Sequence, residues 1–157
     1  MKFKSVITLS VFMLASLSFA DDCKKEDAKK AVEWACDKIS KEGKKALTEI
    51  NAHKFCGQNY VWIQDTPEVR MVQHPIKPKL NHTAHGGPNK RDLKDSKDKK
   101  GFPLFVEFDK KANAEKAGGW VEYVWPKPMA EDATPKVSFV KKCDGPLNWI
   151  AGSGVWK

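Results

Sequence analysis

The residues best placed to hold a small molecule lie between Gly119 and Pro126, a run that reads GWVEYVWP and carries Trp120, Tyr123 and Trp125. Aromatic surface at that density either fills a core or walls a concave ligand pocket. Side chains alternate across an extended strand, so Tyr123 and Trp125 share one face and Trp120 takes the other. A carboxylate held by such a wall needs hydroxyl donors and one cation in an otherwise dry site. Lys136 and Lys127 are the candidate cations. His74 ends an apolar run just before Pro75, where it either bonds a ligand or caps the strand.

Other chemistries are less well served. His82 and His85 are spaced to chelate zinc or copper if their loop turns back on itself. No carboxylate flanks them, and a metal centre needs three or four ligands with an outer shell of support. Ser138 and Ser153 lie in strand-like runs without a nucleophile elbow, and Gly152-Ser153-Gly154 lacks the context of a phosphate loop. The acidic residues are scattered among lysines rather than paired in apolar surroundings. The sequence therefore predicts a binding protein that is not an enzyme and carries no cofactor.

The elements that position these residues follow from local pattern. Ala28, Val32, Ala35 and Ile39 form one apolar stripe, predicting an amphipathic helix over 22–41 that Gly43 ends. A shorter helix over 44–51 turns Leu47 and Ile50 inward. Trp34 points away from the stripe, among charged residues. Residues 59–65 and 69–74 read as two strands joined at Thr66-Pro67-Glu68, and residues 76–101 read as loop. Residues 103–117 fit a helix with Pro103 at its start, against a competing strand at 104–108. Strands are expected at 120–125, 137–142 and 149–156. The order is helix, helix, strand, strand, loop, helix, strand, strand, strand.

Lys2 and Lys4, the apolar run Val6–Leu17 and Ser18-Phe19-Ala20 have the layout of a secretory signal peptide over residues 1–20. The apolar run is too short to span a bilayer. Residues 21–157 would then be one soluble, periplasmic or secreted domain. The chain carries 28 basic and 20 acidic residues, a formal charge of +8. Lys2 and Lys4 supply two of those charges, and the rest is a basic surface with a bias toward anions. Export argues against nucleic acid as a partner. Cys23, Cys36, Cys56 and Cys143 are an even set in an oxidising compartment, which favours disulfides. Cys23 and Cys36, thirteen residues apart on one helix, would be separated by ~20 Å, too far to bridge unless Cys23 lies outside it. Cys36 with Cys56 is the preferred pair.

This layout and several of its segments resemble the single-Cache family (sCache_2 type) of PAS-like extracellular sensor domains. The matching segments are Tyr60–Asp65, His74-Pro75, Gly119–Pro128, Lys136–Lys141 and Trp149–Trp156. The resemblance covers nearly all of residues 21–157. It implies an α+β fold in which a long N-terminal helix packs on a five-stranded antiparallel sheet. It also implies a pocket for a short carboxylate between the sheet and the loop after the second strand, with His74, Trp120, Tyr123, Trp125, Lys136 and Phe139 as site residues. It further suggests homodimers formed through the N-terminal helix, where Trp34 would make contact. The chain departs from the family at Asn81–Gly87, which reads as an insertion in the loop over the pocket, in its four cysteines, and in stopping at Lys157. The resulting expectation is an exported, free-standing module that binds a small anionic metabolite and reports it to a membrane sensor or transporter. The alternatives are a periplasmic metal-binding protein using His82 and His85, and an interaction module with a vestigial pocket.

Overall fold

A computed structural model describes residues 23–157. The signal-peptide reading lies outside the described residues. Helix α1 spans Lys25–Glu42 and buries Ala28, Ala31, Val32, Ala35, Cys36 and Ile39 along the expected stripe. Asp27 accepts the backbone N–H of Lys24 at 3.0 Å and so supports the first turn. Gly43, at φ +60°, ends the helix. A 3-10 turn at Gly43–Lys45 leads into α2, Ala46–Ala52, which folds back on α1 and buries Ala46 and Ile50.

The strands are β1 (Trp62–Asp65), β2 (Met71–Gln73), β3 (Gly119–Pro126), β4 (Ala133–Lys142) and β5 (Trp149–Trp156). They form one sheet in the order β2-β1-β5-β4-β3, antiparallel throughout. Helix α3, Leu104–Ala114, confirms the helical reading of this segment over the strand alternative. It buries Leu104, Phe105, Phe108 and Ala112. The observed elements are shorter than the expected ones at several ends, where turns and caps take over.

The sheet separates two cores. On one face α1 meets Val61, Ile63, Phe139, Trp149 and Ala151, with Val137 and Val155 against Ala28. On the other, α3 meets Trp62, Val121, Tyr123, Val140 and Ile150. Gly152 is required between them, because a Cβ there would fall inside the Trp62 ring.

Two expectations need correcting. The disulfides are Cys23–Cys56 and Cys36–Cys143, not Cys36–Cys56. The reason is the path of the chain. Cys23 precedes α1, and α2 carries the chain back to that end, so Cys56 meets Cys23. Cys36, further along α1, faces the end of β4 and the buried Cys143. The segment Asn81–Gly87 does not form the pocket wall. It runs along the outer edge of β2, where His82 N–H donates to Met71 C=O at 2.8 Å, and it occupies an edge that would otherwise be open.

Candidate functional site

On the α3 face of the sheet, Tyr60, Trp62, His74, Leu104, Phe105, Phe108, Tyr123 and Trp125 enclose a small cavity. Its volume is about 10 Å³, room for roughly one water molecule. The β1 side chain Gln64 donates to the Phe105 carbonyl at 3.0 Å and ties α3 to the sheet. The walls are aromatic edges and faces, with Phe108 at 5.0 Å from Tyr123 and Phe105 at 6.1 Å from Trp125 between ring centroids.

The polar groups of this site are mostly donors. His74 Nδ1 accepts the backbone N–H of Lys77 at 3.0 Å and of Ile76 at 3.3 Å. That assignment leaves the ring proton on Nε2. Asn81 Oδ1 accepts the His74 N–H at 2.8 Å and holds the strand end in place. Burial, then repulsion from Lys136, Lys77 and Lys54, pushes the His74 pKa well below the ordinary histidine value, so the ring is a neutral donor. Tyr60 Oη accepts from Trp125 Nε1–H at 3.1 Å and lies 3.5 Å from Lys136 Nζ. With two donors on that oxygen, the Tyr60 hydroxyl hydrogen is free for another acceptor. Tyr123 Oη pairs with Ser138 Oγ at 2.9 Å. Burial raises the pKa of both tyrosines above the ordinary value and keeps them protonated.

Lys136 stands opposite Tyr123 in the β3–β4 register, on the same face. It is 2% exposed. Its Nζ lies 3.9 Å from the centroid of Trp156 and 4.7 Å from that of Tyr60. Cation–π contact offsets part of the cost of burying the charge. Among the described residues no carboxylate forms an ion pair with it. Burial pulls its pKa down to about 7. A half-protonated ammonium beside neutral hydroxyl, indole and imidazole groups can accept an anion.

The structure thus brings together His74, Tyr123, Trp125 and Lys136. Trp120 and Phe139, expected with them, lie on the opposite face, paired at 5.2 Å in the α1 core. Strand alternation and the direct Trp120–Phe139 register put them there. Lys127 is exposed, between β3 and β4. Tyr60, Trp62, Trp156 and the α3 residues are not among the site residues expected from the sequence. The parity of Tyr60 with Trp62 was the available signal for the first two.

The two loop histidines are engaged elsewhere. His82 Nδ1 accepts from Ala84 N–H at 3.0 Å, and His85 Nε2 lies 2.9 Å from Asp65 Oδ2, which Arg70 also binds. Among the described residues the one cluster of three potential metal ligands is Cys23, Asp27 and Cys56, and its two thiols are joined as a disulfide.

An antiparallel sheet with a long helix on one face and a closed polar–aromatic cavity on the other defines a PAS-like sensor domain. A family model for the Cache domain (dCache_2) matches residues 21–157. The chain belongs to the Cache family. It is 34% identical over 124 residues to the methyl-accepting chemotaxis protein McpP of Pseudomonas putida, covering 78% of this chain and 21% of that one. It therefore spans about a fifth of that relative's length. Among solved structures it resembles a periplasmic sensor domain of a chemotaxis protein, with 33% identity and a TM-score of 0.66 over 83% of this chain and 88% of that one. It also resembles a Cache chemosensory domain solved for its recognition of carboxylic acid, with 30% identity and a TM-score of 0.64 over 83% and 86% of the two chains. A Vibrio parahaemolyticus chemotaxis protein shares the fold, with 21% identity and a TM-score of 0.62 over 82% and 80% of the two chains. Among the described residues no helix is long and apolar enough to cross a membrane.

Proposed function

We propose that this domain binds a small anion, a short carboxylate, at Lys136, with His74 Nε2–H and the Tyr60 hydroxyl as donors and Trp125 and Tyr123 as walls. The observation that carries this reading is the buried Lys136 ammonium, which has no acidic partner among the described residues. A buried charge is costly unless paired, and a ligand carboxylate would supply the missing partner. The tight cavity favours a ligand of few carbon atoms over a bulky one. The carboxylate chemistry of one structural neighbour supports the same class.

The rest of the reading extends this site. Residues 1–20 would direct export, and residues 21–157 would act as a periplasmic or secreted binding domain that reports or delivers its ligand to a membrane sensor or transporter. It would pair with a second copy through α1. Trp34 stacks on His53 at 4.2 Å and stays half-buried, so a partner could cover the rest of its ring. Sedimentation at micromolar concentration tests the pairing, with a dimer expected for wild type and a shift toward monomer for Trp34→Ala; two identical monomers would end it.

A thermal-shift screen tests the ligand class. Short carboxylates at a hundredfold excess over Kd should add ~2.7 kcal/mol of stability, and the matching amides should add none. Stabilisation by amides as strong as by acids would reject an anion site.

A further inference from the structure

Two further lysines address the same aromatic pair from outside. Lys54 follows α2 by two residues, and its Nζ lies 5.8 Å from the Tyr60 ring centroid. Lys77 follows β2, and its Nζ lies 5.5 Å from the Trp125 ring centroid. Tyr60 and Trp125 are joined by a hydrogen bond and both line the cavity. Lys54 is exposed and Lys77 is half-buried, so both side chains stay in touch with solvent while facing aromatic rings that line the cavity. Neither forms an ion pair among the described residues, in contrast to Lys38, Lys41, Lys110 and Lys111, which lie on carboxylates. His74, inside the cavity, feels the positive charge of Lys54, Lys77 and Lys136 together. Three cations from three separate segments face Tyr60 and Trp125, and among the described residues no acidic side chain lines the cavity these rings wall.

We propose that Lys54 and Lys77 form a cationic gate that captures anions from solvent and steers them to the Lys136 site. The proposal rests on the anion-binding reading above and adds a division of labour. Lys136 holds the ligand and governs how fast it leaves. The outer pair governs how fast it arrives, and selects charged ligands over neutral isosteres before they enter. Like charges lining a cleft with low-dielectric walls focus the field and can raise association rates tenfold or more, with steep salt dependence.

Stopped-flow tryptophan fluorescence can read this directly, because Trp125 lines the cavity. Acetate and acetamide serve as probes, against wild type, the double variant Lys54→Gln/Lys77→Gln, and a control, Lys30→Gln/Lys41→Gln, which removes the same charge from exposed positions of α1 across the sheet. In wild type kon for acetate should fall steeply between low and high NaCl. In the gate variant kon at low salt should drop about tenfold and lose most of its salt dependence, while koff stays within twofold. The control should keep the wild-type kon. Thermal unfolding of all three should coincide. A gate variant with wild-type kon, or with its whole affinity loss in koff, overturns the gate and leaves the Lys136 site standing. Wild type that binds neither acetate nor any other short carboxylate overturns the site and the gate together.

Discussion

The two faces of the sheet are built to opposite rules. The α1 face is mainly apolar, with alanines of the helix seated on Val137, Phe139, Ala151 and Val155, and one buried disulfide pinning the layers. The α3 face is aromatic and polar, and it buries Lys136, His74, Gln64 and Ser138. The first face is held chiefly by apolar burial. The second holds a cation whose charge nothing in the described chain neutralises. On the proposed reading, stability falls on one side of the sheet and recognition on the other, five strands sharing both tasks.

The largest effect that would sharpen this contrast comes from the Cys36–Cys143 bridge, whose partners are 107 residues apart. Replacing both with alanine should cost ~4–5 kcal/mol in the chain-entropy account and lower Tm sharply, while ligand affinity of the folded protein is retained. Calorimetry and titration on the same sample separate the two. Phe139→Ala and Trp125→Ala come next. Each removes an aromatic side chain at a cost of ~3–5 kcal/mol when fully buried, less for the half-buried Trp125. Phe139→Ala should lose stability and keep its affinity. Trp125→Ala should lose both, since its indole also holds the Tyr60 hydroxyl in place. Equal losses of affinity in the two variants would break the assignment of faces.

A smaller effect is one of pH. Lys136 has a folded pKa of about 7, below its ordinary value of 10.5. Between those values the unfolded chain binds the extra proton, so stability rises with pH across this window and is flat below it for this group. Lys136→Met should remove that slope and be more stable than wild type at pH 6, which urea titrations at several pH values can check. Ligand affinity should run the other way, falling by up to tenfold per unit above pH 7 as the ammonium loses its proton, because His74 and both tyrosines stay neutral there.

Much of this was legible in the residues. The α1 stripe, the antiparallel run from Trp120 onward and the shared face of Tyr123 and Trp125 all follow from periodicity, which reports which way a side chain points. Pairing across the sheet is a different matter. Lys136 comes beside Tyr60 at the cavity wall because the β3–β4 register sets it opposite Tyr123, and the same register carries Trp120 and Phe139 to the other core. The apolar side of α3 could be seen, but not the sheet face it would cover. The Cys23–Cys56 bridge depends on where α2 returns the chain, and Cys36–Cys143 on α1 facing the end of β4, long-range facts that spacing does not encode. Tyr60 and Trp62 share a parity within the run 59–65, but which sheet face that parity serves is set by pairing with β5, which the run itself does not show.

The central claim is that Lys136 is the anion anchor, and calorimetric titration of a short carboxylate such as acetate into wild type and Lys136→Met at pH 6 tests it most directly. Methionine fills the buried volume and removes the charge, so the fold should survive. Loss of a charge-assisted hydrogen bond is worth ~1.5–3 kcal/mol, and Kd should rise roughly ten- to a hundredfold. Equal affinities in the two proteins would contradict the account.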